Sequence, residues 1–323
     1  MFNAGLVQPD RGVLGIGGTS IQGKLIQADS RILYVQPNNI VATDRGNYGM
    51  DPQIPFATVQ AAIDSLAGRD YHGDVIFVGA NDAWAYGGGV PSWFTPIQES
   101  VTVDVSGLRI IGINPGLGVY WLPGAAGQFC ITVQAMDTII DGFAFMGGAG
   151  GGNGIYAEWA GGGSIWWADN LIVRNCLFHD DVDIAIQLEF VWHGLIEQCR
   201  FIQNDAYGIY VDPAGSGVSW MTIRDNMFDR VVTGAMALQN SDYAQIYRNS
   251  IYNAKAATLP APLACTNEGV NLLGGLGNQV YDNYFSCLLP FGVGDYNDLN
   301  TAGASDAWIN NHCMNGDATS NPT

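Results

Sequence analysis

A cluster of acidic side chains at residues 179–183 is the part of this sequence best suited to chemistry. The segment HDDVD supplies His179, Asp180, Asp181 and Asp183, and Asp205 follows a similar apolar stretch further along the chain. Grouped carboxylates can bind Ca²⁺ or a sugar, and a pair about 5–10 Å apart can hydrolyse a glycosidic bond. The alternative is turn chemistry, in which Asp caps backbone amides. If the chain is an enzyme, these four aspartates are the predicted catalytic residues, and Asp180, Asp181 and Asp183 are the candidate Ca²⁺ ligands.

Three arginines are candidates for a proton-accepting role. Arg200, Arg224 and Arg248 each fall between apolar positions that we expect to face inward, so their side chains are predicted to point outward. No paired acidic motif accompanies them, and a solvated surface arginine is the alternative interpretation. The four histidines lack the spacing of metal ligands (His72, His179, His193 and His312).

Tryptophans in a glycine-rich region are the candidate contacts for a glycan or a protein partner. The segments MGGAGGGNG (146–154) and AGGGS (160–164) lack the GK[ST] sequence of a phosphate-binding loop. Trp159, Trp166 and Trp167 lie in or next to the second segment. Exposed aromatic rings at this place could stack on sugars or lie in a subunit interface, and simple packing against the protein is the alternative.

A repeated unit positions these residues. An aliphatic residue followed five positions later by an aromatic or aliphatic residue begins at Ile140, Val173, Ile196, Ile223, Ile246 and Val280. A second apolar segment follows most copies, as in NGIYAEW at 153–159. Units of two or three short strands cannot bury an apolar face alone, so they must stack. A shortest period of 23 residues, without helical spacing, predicts an all-β parallel β-helix.

Stacking in register predicts columns of equivalent side chains inside the helix. One column contains phenylalanines and another contains aliphatic residues (Phe178, Phe201, Phe228 and Phe285; Val173, Ile196, Ile223, Ile246 and Val280). A third contains Cys176, Cys199, Asn226, Asn249 and Asn283, and its asparagines are expected to satisfy one another's amides. Stacked strands aim their side chains alike, which suits a disulfide poorly, so buried reduced thiols are predicted.

The segments ILYVQPNN (32–39), PFATVQAAID (55–64) and GDVIFVGANDAW (73–84), followed by the repeats, resemble proteins of the pectate-lyase-like superfamily. The resemblance implies a right-handed parallel β-helix over residues 31–290 with one N-terminal capping helix near 55–67. Residues 1–30 are apolar, rich in Gly and nearly uncharged, which suits an arm that docks on a partner, and a strand folded along the β-helix itself is the alternative. Residues 291–323 are expected to form a C-terminal tail. Proteins of this superfamily include phage virion proteins as well as lyases and hydrolases of acidic polysaccharides.

The charge balance limits the partners. The formal net charge is −18, with only 12 Lys and Arg residues, which argues against binding to nucleic acid or to anionic membranes. No secretory signal and no membrane-spanning stretch is predicted from the sequence.

Two functional hypotheses remain. The first is a structural protein of a tailed-phage virion, made in the host cytoplasm. It would be a capsid decoration or spike, a homotrimer without a cofactor, attached to the capsid or tail protein through its arm, with host glycan as a further candidate partner. The second is a tailspike-type polysaccharide lyase or hydrolase, with Ca²⁺ as its possible cofactor. A bacterial surface adhesin is a weaker third interpretation. The absence of a catalytic motif favours the first.

Overall fold

Parallel strands make up almost the whole of the described structure. The computed structural model describes residues 29–37, 41–45, 49–79, 96–113, 119–148, 150–158, 168–179, 182–211, 217–252, 269–273, 275–285, 296–298 and 306–313. These residues form 27 strands in three parallel sheets and one short helix. None of the described helical structure is long and apolar enough to cross a membrane. Residues 1–28, most of the predicted docking arm, lie outside the described residues.

Each coil contributes one strand to each sheet in turn. Sheet 1 contains β1 (Ile32–Val35), β2 (Val75–Gly79), β5 (Arg109–Ile113), β8 (Ile139–Asp141), β11 (Ile172–Arg174), β14 (Leu195–Glu197), β17 (Thr222–Arg224), β20 (Gln245–Tyr247), β23 (Gln279–Tyr281) and β26 (Ala307–Ile309). Sheet 2 contains β3 (Ile97–Gln98), β6 (Val119–Leu122), β9 (Phe143–Met146), β12 (Leu177–His179), β15 (Arg200–Ile202), β18 (Met227–Asp229), β21 (Ser250–Tyr252), β24 (Tyr284–Phe285) and β27 (His312–Cys313). Sheet 3 contains β4 (Val101–Val103), β7 (Phe129–Val133), β10 (Asn153–Ala157), β13 (Ile184–Leu188), β16 (Tyr207–Val211), β19 (Gly234–Gln239), β22 (Val270–Leu273) and β25 (Tyr296–Asp298).

The predicted apolar columns are confirmed. Phe178, Phe201 and Phe228 are in register on sheet 2, with ring centroids 5.0 and 4.4 Å apart and nearly parallel planes. All the residues predicted for the aliphatic column are fully buried and in register on sheet 1. The core is therefore a continuous stack in which each coil covers the apolar face of the next.

An asparagine ladder connects the coils at the turn between sheets 1 and 2, as predicted. The Asn226 side-chain amide donates to Asn249 Oδ1, and the Asn249 amide donates to Asn283 Oδ1, each at 3.0 Å. Asn311 extends the ladder by accepting from Asn283. Buried amides that satisfy one another in this way avoid the cost of an unpaired polar group.

Three cysteines of the described structure are buried free thiols, as expected. Cys130, Cys176 and Cys199 form no disulfide. Burial raises the pKa of the Cys199 thiol well above its ordinary value. At neutral pH this thiol stays protonated, so it behaves as a packing group and not as a nucleophile.

The helix α1 (Val59–Asp64) packs against β1, β2 and β4 at the N-terminal end of the coils. It is shorter than the predicted 55–67, because Phe56 pairs with Val35 in extended conformation and Thr58 is the N-cap. The Glu99 carboxylate accepts hydrogen bonds from two backbone amides in the first turn, those of Val59 and Gln60. Burial raises the pKa of Glu99, although both hydrogen bonds act in the opposite direction.

The coils continue past residue 290, where the sequence predicted the start of a tail. The strand β26 pairs with β23, and β27 pairs with β24. Trp308 occupies the inner column next to Val280 and is nearly fully buried. The sequence pattern required an aliphatic residue at this position, so a coil with tryptophan there was not predicted.

Candidate ligand-binding surfaces

The predicted acidic cluster is only partly within the described structure. Asp180 and Asp181 lie outside the described residues, whereas Asp183 and Asp205 lie in neighbouring coils. The Asp205 amide donates to the carbonyl of Val182, and the Ala206 amide donates to the carbonyl of Asp183. In these parallel strands a residue lies opposite the one that follows its acceptor, as Leu195 lies opposite Ile172 while its amide donates to Leu171. Asp205 therefore lies beside Asp183 in the neighbouring coil. Among the described residues no group of three or more His, Cys, Asp and Glu side chains is placed to hold a metal ion.

The three predicted tryptophans, Trp159, Trp166 and Trp167, also lie outside the described residues. Their proposed contact with a glycan or a partner therefore stays a prediction.

The three arginines point outward, as predicted, and two of them form ion pairs between coils. Arg224 lies 2.5 Å from Glu197, and Arg248 lies 2.7 Å from Asp225. The hydrogen bond to Asp225 raises the pKa of Arg248 above its ordinary value. Arg200 is exposed on sheet 2. A guanidinium held by a carboxylate is stabilised in its charged form, which makes it a poor proton acceptor.

The outer face of sheet 3 carries aromatic rings and two glutamates that the sequence interpretation missed. Phe129 stacks on Tyr156 with centroids 5.0 Å apart, and Tyr207 stacks on Tyr210 at 4.9 Å. These four side chains are only half-buried, so they form a partly exposed aromatic surface.

The two glutamates follow neighbouring strands of sheet 3 at equivalent positions. Glu158 comes directly after β10 and Glu189 directly after β13, and the two strands pair in register. Gln134 donates to the Glu158 carboxylate and the Tyr156 hydroxyl donates to the Glu189 carboxylate, each at 2.5 Å. Coil spacing is about 4.8 Å, close to the roughly 5 Å between the two carboxyl groups of a retaining glycosidase. Glu158 and Glu189 are therefore a candidate pair of acids for glycoside chemistry.

A second aromatic surface lies at the corner between sheets 3 and 1. Here His193, Trp220 and Tyr243 occupy equivalent positions in three successive coils, two residues before the strands of sheet 1. The His193 and Trp220 centroids are 5.2 Å apart with planes 4° from parallel, and those of Trp220 and Tyr243 are 5.6 Å apart with planes 11° from parallel. We name these three residues the corner stack.

All three residues of the corner stack have left-handed backbone conformation. Their φ values are 56°, 52° and 55°. The equivalent positions of other coils hold residues that tolerate positive φ (Gly107, Asp137, Asn170 and Gly277). For a bulky residue this conformation is strained, and such strain is concentrated at functional sites.

The sequence contained a signal for the corner stack that the interpretation did not use. Each of its residues lies three positions before an inward-facing aliphatic residue of the repeat, namely Ile196, Ile223 and Ile246. Extending the repeat alignment to outward positions would have placed the three rings in one row.

Comparisons with known proteins agree on the fold. A family model described as "Right handed beta helix region" matches residues 150–251. The fold is a right-handed parallel β-helix of the pectate-lyase-like type. Among solved structures, the chain is similar to a pectin methylesterase from Aspergillus niger, with 14% identity over 91% of this chain and 89% of that chain and a TM-score of 0.50.

Two other β-helices are similar at the same level. A rhamnogalacturonan lyase has 14% identity over 80% of this chain and 69% of that chain, with a TM-score of 0.53. ORF18 of Geobacillus virus E2 has 10% identity over 79% of this chain, with a TM-score of 0.53. The match covers 57% of that viral chain, a little over half its length. No curated protein matches the sequence. At these identities the β-helix fold is common to all, and the activity is not transferred.

Proposed function

We propose that this chain is a structural protein of a tailed-phage virion, a capsid decoration or spike, which uses its β-helix as a stiff body. The observation that carries the proposal is the use of outward charged groups for contacts between coils. On sheet 1, Asp141 pairs with Arg174 at 2.8 Å, and Glu197 pairs with Arg224. Such pairs, together with the asparagine ladder, tie each coil to the next. The viral origin of ORF18, a β-helix of similar structure, supports the virion assignment.

Particle composition tests this proposal directly. Tailed-phage particles from a culture that encodes this chain are purified on a density gradient and analysed by quantitative mass spectrometry. We expect the chain in the particle fraction at a fixed ratio to the major capsid or tail protein. Recovery only in the soluble lysate would overturn the proposal.

The arm and the trimer belong to the same proposal. An apolar segment of 30 residues leaves apolar surface exposed unless a partner covers it. A variant that lacks residues 1–30 should fold and yet be lost from the particle fraction, whereas its incorporation at the full ratio would exclude the arm as anchor.

Light scattering of the purified protein should give the mass of three chains, and a monomer at micromolar concentration would contradict a preformed trimer.

The alternative function is cleavage of host surface polysaccharide, and a specific observation favours it. Glu158 and Glu189 lie one coil apart on sheet 3, beside the aromatic surface that contains Tyr156 and Tyr210. Under this alternative the protein would release reducing or unsaturated sugars from host glycans. Glu158→Gln and Glu189→Gln would then abolish the release. Glu197→Gln on sheet 1 is the matched control, because it removes a carboxylate from a different face.

A further inference from the structure

We propose that the corner stack is a binding site for an uncharged linear glycan, and this inference does not depend on where the protein is assembled. The starting point is the combination of strain and exposure. Trp220 and Tyr243 are each 49% exposed. Burial of their rings therefore contributes little free energy to offset the cost of the left-handed backbone. Strain that packing does not compensate is characteristic of positions that serve a ligand.

The rings leave part of their faces open. Carbon atoms of rings in contact lie about 3.5–4.0 Å apart. The centroid separations of 5.2 and 5.6 Å are longer than this contact distance although the ring planes are nearly parallel. Successive rings are therefore in offset stacking, each shifted sideways from the next. Each ring therefore presents part of a π face to solvent, and the C–H face of a pyranose ring packs on such a surface.

The size of the surface favours a small ligand over a second copy of the chain. Leu276, which precedes Gly277 at the same corner of the next coil, is 51% exposed. Together with the half-exposed Trp220 and Tyr243 it presents roughly 300 Å², since an aromatic side chain can bury about 150–250 Å². A stable protein–protein interface needs about 800 Å² from each partner. The corner stack is too small to hold a dimer by itself and matches a few sugar rings.

Backbone hydrogen bonding argues against a peptide ligand. The amides of His193, Trp220 and Tyr243 all donate to carbonyls of the following coil, those of Ser219, Asp242 and Leu276. A peptide that adds as a strand needs unpaired backbone groups, and this row offers no free donor. The contacts available to a ligand are ring faces and neighbouring side chains.

The negative charges near the corner stack favour an uncharged ligand over an anionic one. Asp242 lies next to Tyr243 and uses one carboxylate oxygen to accept from the Leu276 amide at 2.8 Å. Asp169 does the same with the Trp192 amide at 3.0 Å. Carboxylate oxygens accept more than one hydrogen bond, so both can also receive sugar hydroxyl groups. These carboxylates, in a chain of net charge −18, repel an anionic polysaccharide.

The row also favours a polymer over a small cation. A cation is bound best when aromatic faces enclose it, whereas these rings lie in one open row. They repeat once per coil, about every 4.8 Å along the helix axis. A linear glycan running parallel to the axis can place successive sugars on successive rings.

The test is binding of the purified full chain to an array of bacterial surface oligosaccharides that includes neutral and anionic members, with choline as a separate cationic probe. We expect at least one neutral glycan to bind. Trp220→Asn and Tyr243→Asn should each weaken that binding about tenfold, the loss expected for one aromatic contact. Trp220→Phe keeps a ring and should retain most of it.

Tyr71→Asn is the matched control. Tyr71 is also an exposed aromatic residue with positive φ, and it lies outside the corner stack. Asparagine occupies the equivalent corner position at Asn170, so the variants should fold, which circular dichroism checks. The proposal is overturned if no neutral glycan binds, if only anionic glycans or choline bind, or if the corner variants bind as tightly as Tyr71→Asn.

Discussion

Replacing Phe201 by alanine measures how much the stacked interior contributes to stability. The Phe201 ring is fully buried between Phe178 and Phe228, with centroids at 5.0 and 4.4 Å. Truncation of a buried phenylalanine costs about 3–5 kcal/mol, including the cavity left behind. Two ring pairs are lost at once, at about 0.5–1.5 kcal/mol each, so we expect a decrease in the free energy of unfolding of about 4–5 kcal/mol.

Urea unfolding followed by both circular dichroism and tryptophan fluorescence is the assay. Repeat proteins can unfold in segments, so the two signals must coincide before a single free energy is extracted. The chain supplies its own control, because Ile251 occupies the phenylalanine column two coils further on and is fully buried. Phe201→Ile should therefore cost only about 1–2 kcal/mol. A Phe201→Ala cost below about 1 kcal/mol, with unchanged slope, would refute the stacked register.

Three further predictions concern the ladder, the helix cap and the corner stack. Asn249→Ala leaves ladder amides unpaired and should cost about 2–4 kcal/mol in urea unfolding, whereas Asn249→Cys, which copies Cys199, should cost less. The raised pKa of Glu99 means that the native state binds more protons than the unfolded state, so its contribution to stability should fall as pH rises above the ordinary glutamate pKa of about 4.3. Glu99→Gln should flatten this part of the thermal-stability profile, and an unchanged profile would contradict the assignment. Trp220→Asn should change the free energy of unfolding by less than about 1 kcal/mol, because relief of strain offsets lost stacking.

The fold was predictable because the interior repeats. An inward position in a stacked coil meets the same position of its neighbours, so the aliphatic and phenylalanine columns were visible from Val173 and Phe178 onward. The last coil was missed for the same reason. It places Trp308 and Cys313 where the pattern required an aliphatic and an aromatic residue. An inner position requires an apolar side chain of sufficient volume. The sequence pattern was defined instead by particular residue types, so it did not include this coil.

The candidate sites were much less predictable. The sequence interpretation relied on proximity along the chain, as in the HDDVD segment, but proximity in a β-helix is decided by register between coils. Asp205 comes 22 positions after Asp183 in the sequence and lies beside it in the neighbouring coil. Glu158 and Glu189 are 31 positions apart in the sequence and adjacent in the structure. Outward residues carry no apolar pattern, so only an alignment of whole coils reveals which of them meet.

The corner stack shows how such an alignment can separate function from stability. A bulky residue in left-handed conformation costs about 1–2 kcal/mol, and a stacked ring pair returns about 0.5–1.5 kcal/mol. For Trp220, which stacks on two neighbours, the two effects nearly cancel. Tryptophan should therefore make the fold no more stable than glycine or asparagine, which occupy the equivalent corner position as Gly107 and Asn170. Because the interior does not require the rings and the backbone does not favour them, the proposed contact with a glycan supplies a physical reason for a row of aromatic residues at this corner.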